Sequence, residues 1–199
     1  MQEFCFMEGT MNLSANGTYD PEGRRKYLSR TEGRNFLHHA GLMPQADALF
    51  CQTLFYTGCR ISEALSLRVS DIDTEMKAVL IRSLKKRGKK EFRRVPIPEF
   101  LAKALREFAP PGEGDCIWPI SRTKGWRIIK RAMKDAGISG VHATTKGLRH
   151  GFGVRSAMVQ IPLPLIQRWM GHADLSTTAI YLAVKDEEER ELIGKTWDF

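Results

Sequence analysis

The chain has 199 residues, is 42% hydrophobic and 27% charged, and carries a formal net charge of +8. This length and composition suit one globular domain with its own core, and the excess of positive charge favours a polyanionic partner such as nucleic acid. No apolar run is long enough to span a membrane, the N-terminus lacks a signal-peptide pattern, and the four cysteines have no metal-binding spacing, so we expect a cytoplasmic protein with no membrane partner and no bound metal.

The predicted elements follow one another as a single, mostly helical domain. Residues 1–24 are polar and aperiodic, which is typical of a flexible arm, and the domain is expected over residues 25–199. Ser29 and Glu32 have the spacing of a capping box and predict a helix that ends near His39. The apolar period predicts further helices over residues 45–56, 61–67, 98–108, 125–136, 145–159, 164–170 and 175–182, and the C-terminus predicts a helix over 186–197. Residues 78–81 and 92–97 resemble strands with a glycine-containing turn between them, which predicts an α+β fold with a small antiparallel β-hairpin.

The last third of the chain contains polar residues whose spacing points to phosphate chemistry. Lys146 and Arg149 are three residues apart, so they lie on one face of a helix. His172 follows a glycine, and Tyr181 comes nine positions after it. Arginine, lysine and histidine bind phosphate oxygens, and a tyrosine hydroxyl is a possible nucleophile. Taken singly, His172 could be a turn residue and Tyr181 a core residue.

A second arginine comes from elsewhere in the chain. Arg60 stands in TGCRISEALSL at a turn that enters a helix, where it could simply pair with Glu63 one turn later. The order along the chain favours a functional role, because Arg60 is followed by the basic hairpin, then by KGLRHGFG, and then by the segment that ends in Tyr181.

Positive charge is concentrated in two elements that flank this set. The hairpin region from Arg82 to Arg94 holds eight basic residues and one acid, Glu91, and a second basic stretch begins at Arg122. A run of like charge is often only a solvated surface, but two basic elements beside phosphate-binding residues favour a groove for nucleic acid. The residues expected to contact DNA are Lys85, Arg87, Lys89, Lys90, Arg122, Lys124 and Arg127.

The sequence resembles the catalytic domain of the tyrosine recombinases, the phage-integrase family, from about Tyr27 to Val184. TGCRISEAL is similar to the family's first-arginine motif, KGLRHGFG to its second motif, usually written His-x-x-Arg-His, and LPLIQRWMGHADLSTTAIY to the stretch with the last histidine and the nucleophilic tyrosine. Three motifs in order, with a lysine-bearing hairpin between the first two, make a specific match. The resemblance implies the family's catalytic-domain fold and strand exchange on double-stranded DNA with neither a metal ion nor ATP as cofactor.

The resemblance also implies a role for each matching residue. Tyr181 would attack a DNA phosphate, form a 3′-phosphotyrosyl bond and release a 5′-hydroxyl. Arg60 and Arg149 would hold the non-bridging oxygens and stabilise the charge that builds up in the transition state. His172 would hydrogen-bond a phosphate oxygen or orient the nucleophile.

In the family a hairpin lysine protonates the leaving oxygen. Both Lys85 and Lys86 fit this role, and Lys86 is favoured because Lys86-Arg87-Gly88 is similar to the lysine-x-glycine turn of relatives. Glu63 and His150 are expected to brace the site rather than to act in it.

Two features depart from the family. Lys146 stands where relatives usually carry the histidine of the second motif, and a charged lysine can donate to a phosphate but cannot accept a proton as an imidazole can. We therefore expect Lys146 to act mainly as an electrostatic clamp, which leaves the base for Tyr181 open. The segment before Ser29 is also too short for the N-terminal domain of most relatives, so the chain resembles compact single-domain members such as the fimbrial phase-inversion recombinases.

The sequence thus predicts a site-specific recombinase or integrase, encoded by a plasmid, phage or other mobile element, that works as a tetramer on two synapsed DNA sites. Two alternatives remain open. A type IB topoisomerase-like enzyme would use the same residues to relax DNA without site preference. A DNA-binding modulator of a full-length recombinase would bind DNA without cutting it.

Overall fold

A computed structural model describes residues 17–83, 91–182, 190 and 193–194 of the chain. Three parts of the sequence prediction lie largely outside these ranges, namely residues 1–16 of the expected arm, the tip of the hairpin, and most of the expected C-terminal helix 186–197. The hairpin cations that fall outside the described residues are Lys85, Lys86, Arg87, Lys89 and Lys90. Their proposed roles therefore stay predictions.

Most of the described residues form helices, which pack with one small sheet. The helices are α1 (Arg30–Gly41), α2 (Gln45–Thr57), α3 (Ile61–Leu65), α4 (Glu99–Phe108), α5 (Arg122–Asp135), α6 (Thr145–Met158), α7 (Leu163–Met170) and α8 (Ser176–Ala179). The strands are β1 (Ile72–Asp73), β2 (Ala78–Arg82) and β3 (Phe92–Pro96), and 3₁₀ turns cover Val69–Asp71 and Ile180–Leu182. The strands pair antiparallel in the order β1-β2-β3, which confirms the predicted mostly helical α+β class. No helix in the described ranges is long and apolar enough to cross a membrane.

Capping residues explain where the helices begin. At α1 the predicted capping box is present, since the Ser29 hydroxyl accepts from the Glu32 backbone and the Glu32 carboxylate accepts from the Ser29 backbone. At α5 the Ser121 hydroxyl accepts a backbone hydrogen bond from the first turn. This cap starts the helix at Arg122, three residues before the predicted start at Gly125. Strand β1 was not predicted, because two residues are too few to show a strand period.

Helix α2 lies at the centre of the larger hydrophobic core. Phe50 from its middle is fully buried, and α1, α4, α5 and α6 all pack against the helix. A smaller apolar cluster contains Val154 of α6, Met170 of α7 and Tyr181. Tyr181 is therefore a core residue as well as a candidate nucleophile.

The segment before α1 is tied to the turn before α6 through one carboxylate. Oε1 of Glu32 accepts from Nη2 of Arg25 at 3.0 Å and lies 2.9 Å from Nε2 of His142. Burial works to raise the pKa of Glu32, but the hydrogen bonds from His142 and the Ser29 backbone outweigh it and hold the pKa at about 2. The ionised Glu32 therefore helps to fix the approach to α6 and to Lys146 in its first turn.

Candidate active site

Tyr181 lies in the 3₁₀ turn after α8 and is 1% exposed. Its hydroxyl is 3.1 Å from Nδ1 of His150 in α6, and its ring stacks on the ring of His172 with centroids 6.2 Å apart. Gly153 in α6 makes room for the tyrosine, because a Cβ at this position would lie 2.5 Å from the ring. Burial raises the pKa of Tyr181 to about 12, although two nearby arginines oppose this shift. The phenol is therefore protonated at neutral pH and needs a base before it can act as a nucleophile.

Arg149 is a buried arginine of α6 that joins three parts of the chain. Its Nη1 donates to the carbonyl oxygen of Gly58 after α2 at 2.7 Å, and its Nη2 donates to the carbonyl oxygen of Met170 in α7 at 2.6 Å. Burial lowers the pKa of Arg149 to about 10, and the charge of Arg60 adds to this shift. The guanidinium is still a cation at neutral pH, so the site keeps a fixed positive charge near Tyr181.

Arg60 immediately precedes α3 and pairs with Glu63. Its backbone N–H donates to Oε2 of Glu63 at 2.8 Å, and its Nη1 donates to Oε1 at 3.0 Å. The Glu63 side chain is 2% exposed, whereas that of Arg60 is 27% exposed. Arg60 can therefore pair with Glu63 and still have a functional role, because Glu63 orients it from the buried side while part of the guanidinium stays accessible.

His172 and Arg60 line the same open cavity, which has a volume of about 500 Å³. Gly171 ends α7 in the left-handed conformation with φ 63°, and His172 follows with its Nδ1 2.9 Å from Oγ1 of Thr178. Burial lowers the pKa of His172 to about 3, and the charge of Arg149 adds to this effect. The ring is therefore neutral at pH 7 and can either donate or accept a hydrogen bond at a phosphate.

Lys146 and His150 lie one turn apart on α6 but in different surroundings. Lys146 is exposed in the first turn, whereas His150 is 8% exposed and contacts the Tyr181 hydroxyl. Burial, followed by the charge of Lys146, lowers the pKa of His150 to about 4. A neutral imidazole therefore contacts the tyrosine hydroxyl directly, in a chain whose second motif has lysine in place of histidine.

The predicted DNA-binding residues of α5 are exposed. Arg122, Lys124 and Arg127 all lie on the surface of this helix. Gly125 is buried between them and packs on Ile61, the residue after Arg60, since a Cβ at 125 would lie 3.5 Å from the Ile61 side chain. Helix α5 also packs against α3, the helix that Arg60 immediately precedes. Among the described residues, no three His, Cys, Asp or Glu side chains come together as a possible metal site.

Sequence reasoning missed two features of this site. Arg93 was counted only among the basic hairpin residues, yet it is 7% exposed and donates to both carboxylate oxygens of Glu63. The alternation in β3 could have indicated this role. Arg93 and Val95 both face inward, and a buried cation needs an acidic partner. His150 was expected to brace the site, and nothing in the sequence indicates its contact with Tyr181, which is 31 residues away.

This fold and set of side chains match known proteins. Residues 26–188 match the phage integrase family. The chain belongs to the phage integrase family. The tyrosine recombinase XerA of Thermococcus onnurineus (strain NA1) is 30% identical to it over 182 residues, which cover 86% of this chain and 62% of XerA. The tyrosine recombinase XerD of Mycobacterium leprae (strain TN) is 30% identical over 220 residues, which cover 96% of this chain and 68% of XerD. This member of the phage integrase family thus spans about two thirds of the length of these relatives.

Solved structures extend the match to the fold. A crystal structure of XerA recombinase matches with a TM-score of 0.73 at 26% identity, covering 85% of this chain and 64% of XerA. The catalytic domain of bacteriophage HP1 integrase matches with a TM-score of 0.62 at 20% identity, covering 84% of this chain and 93% of that domain. Because the second match covers nearly a whole catalytic domain, this phage integrase family member has the predicted catalytic-domain fold.

Proposed function

We propose that this chain is a site-specific DNA recombinase that cuts and rejoins strands of double-stranded DNA through a 3′-phosphotyrosyl intermediate. The proposal rests on one observation: the Tyr181 side chain lies close to cations and imidazoles that come from separate parts of the fold. Arg149 and His150 come from α6, Arg60 from the start of α3, and His172 from the end of α7. A hydroxyl nucleophile beside guanidinium groups suits phosphoryl transfer, which depends on positioning and on stabilising negative charge.

The scissile phosphate would bind in the cavity that Arg60 and His172 line. The fork of the Arg60 guanidinium can hold two phosphate oxygens at once. Arg149 would stabilise the charge that develops beside the tyrosine, and removing one such donor typically slows the reaction by about a hundredfold or more. Lys146, exposed at the start of α6, would add a positive charge without taking a proton.

The proton of Tyr181 would pass to His150. As the bond from the tyrosine oxygen to phosphorus forms and the bond from phosphorus to O5′ breaks, the phenolic proton moves to Nδ1 of His150, 3.1 Å away. The charges of Lys146 and Arg149 disfavour an imidazolium in the free protein, and a bound phosphate would offset them and make His150 a better base. Lys86, or Lys85 in its place, would protonate O5′.

The burial of Tyr181 implies that the nucleophile is inaccessible to DNA in the free protein. A phosphate in the cavity cannot reach a hydroxyl on a side chain that is 1% exposed. DNA binding would therefore have to open access from the cavity to the Tyr181 hydroxyl while this hydroxyl keeps its contact with Nδ1 of His150. Exchange of both strands of two duplexes requires four cuts. Because each chain has one candidate nucleophile, Tyr181, we propose that a tetramer acts on two DNA sites in the cytoplasm.

The direct test is capture of the covalent adduct. The protein is mixed with a library of nicked duplexes that carry random inverted repeats, and protein–DNA adducts that survive denaturation are isolated and sequenced. We expect adducts on the peptide that contains Tyr181, and we expect Tyr181→Phe to bind DNA but form none. An adduct formed equally by Tyr181→Phe, or attached to another residue, would contradict the proposal. Relaxation of plasmid DNA without site preference would indicate a topoisomerase, and binding without any adduct would indicate a modulator.

A further inference from the structure

A buried arginine on β3 holds the carboxylate that orients Arg60. Nη2 of Arg93 donates to Oε2 of Glu63 at 2.6 Å, and Nη1 donates to Oε1 at 3.3 Å. Each Glu63 oxygen therefore accepts one bond from Arg93 and one from Arg60. Burial works to raise the pKa of Glu63, but the hydrogen bonds and charge of Arg93 outweigh it and keep the pKa below its ordinary value.

This arrangement leaves positive charge available in the cavity. One carboxylate can neutralise one guanidinium, and the side chain of Arg93 is the more buried of the two partners, at 6% exposed against 27% for Arg60. Without Arg93, the ionised Glu63 would be a buried acid with Arg60 as its remaining arginine partner. Arg60 would then be drawn inward to compensate it. Arg93 thus allows Arg60 to be oriented by Glu63 and still bind an anion.

The same guanidinium also contacts the end of α7. Nε of Arg93 donates to the carbonyl oxygen of Trp169 at 2.7 Å. Gly171 leaves room for this contact, because a Cβ there would lie 2.9 Å from Nη1 of Arg93. The next residue is His172, which lines the cavity together with Arg60 and Arg93. One side chain therefore joins the start of α3, strand β3 and the end of α7.

We infer that Arg93 is a positioning residue of the candidate active site. It holds Glu63 and the end of α7 so that Arg60 and His172 face the same phosphate. The inference rests on the proposed function.

The first test compares neighbouring arginines of β3. Arg93→Met keeps the length and apolar part of the side chain but removes its donors, and Arg94→Met is the matched control on the exposed face, where Arg94 is 3.5 Å from Asp73. At saturating DNA, we expect the single-turnover rate of adduct formation to fall about a hundredfold or more in Arg93→Met and to stay within about threefold in Arg94→Met. We expect Arg93→Lys to recover only part of the rate, since a point charge cannot replace the fork. Arg93→Met at the parent rate would overturn the inference.

A second substrate shows which step is slowed in Arg93→Met. Replacing O5′ by sulfur gives a leaving group that needs no proton, so it restores activity when only the proton donor is misplaced. We expect Arg93→Met to remain slow on this substrate, because Arg60 and His172 are misplaced too. We also expect Glu63→Gln combined with Arg93→Met to be about as slow as the slower single variant, as for residues that act as one unit. Full rescue by sulfur, or multiplicative effects of the two substitutions, would overturn the inference.

A third measurement needs no DNA and separates this inference from the proposed function. Burial and neighbouring cations, including Arg93, hold the pKa of His172 at about 3. In folded Arg93→Met and Arg93→Lys, followed by NMR of the imidazole signals, we expect the first to raise that pKa and the second to raise it less. An unchanged His172 titration in Arg93→Met would overturn the inference. A parent protein that forms no adduct while His172 responds as expected would instead overturn the proposed function.

Discussion

Three arginines, Arg60, Arg93 and Arg149, lie around the single carboxylate of Glu63. At the scale of residues, this gives the free site an excess of positive charge inside a poorly hydrated region. His150 and His172, the two histidines that contact Tyr181, are neutral at pH 7 because burial and the neighbouring cations both disfavour an imidazolium. A DNA phosphate would supply the missing negative charge, so the free protein should be more sensitive to acid than the complex.

The first prediction concerns His150 and acid stability. Its pKa is lowered from 6.5 to about 4 by burial and by the charges of Lys146, Arg149 and Lys26. The folded state thus binds the proton more weakly than the unfolded state, and stability present above pH 6.5 is lost as the pH falls toward 4. His150 alone should lower the free energy of unfolding by about 2 kcal/mol between pH 7 and pH 5.

Urea unfolding at the two pH values measures this effect. In His150→Gln the loss between pH 7 and pH 5 should be smaller than in the parent by about 2 kcal/mol. His38→Gln, on the exposed face of α1, is the control and should keep the parent's pH dependence. Equal pH dependence in the parent and His150→Gln would show that His150 is not held neutral in the folded state.

At the scale of elements, helix ends rather than helix bodies position the site. The last carbonyl groups of a helix lack partners within the helix, and buried arginines use them here. Arg149 donates to the carbonyl oxygens of Gly58 and Met170, and Arg93 donates to that of Trp169. These bonds satisfy the helix ends and fix the direction of each guanidinium at the same time.

The second prediction compares two glycines that follow helices. Gly171 and Gly137 both have left-handed φ angles, 63° and 69°, but a Cβ at 171 would press on Arg93, whereas a Cβ at 137 meets nothing within 4 Å. Gly137→Ala should lose about 1–2 kcal/mol of stability from backbone strain alone. Gly171→Ala should lose about 1–3 kcal/mol more, because Arg93 must move, and it should also slow adduct formation. Similar losses of stability in thermal melts of the two variants would contradict the tight contact at Arg93.

The difference between local patterns and contacts between distant residues explains how much of this protein could be predicted from its sequence. Apolar periodicity and caps are local, so the helices and the capping box of Ser29 and Glu32 were predictable from neighbouring residues. The motif order likewise placed Arg60, Arg149, His172 and Tyr181 in one candidate site. The contacts of Arg93 with Glu63 and of His150 with Tyr181 join residues 30 and 31 positions apart. Their geometry depends on how β3 and α8 pack, which no local pattern specifies.

At the scale of the whole molecule, the net charge of +8 is unevenly distributed. On α5, which packs against α3, Arg122, Lys124 and Arg127 are exposed. Elsewhere, Lys77 and Lys103 both pair with Glu99, each at 2.7 Å. Cations that contact DNA phosphates release counterions and make binding salt-dependent, whereas cations that do not contact DNA contribute little to the salt dependence.

The third prediction uses this difference. Replacing Arg122, Lys124 and Arg127 together by Gln should weaken binding to a fluorescent duplex. It should also make the slope of log K against log salt shallower by about 3, or close to one for each lost phosphate contact. The double control Lys77→Gln and Lys103→Gln removes two cations that both pair with Glu99 and are not among the expected DNA contacts, so its slope should match that of the parent. Anisotropy titrations over a range of salt concentrations measure all three slopes. If the triple variant kept the parent's slope, the DNA would not run along α5, and the groove would have to follow the hairpin alone.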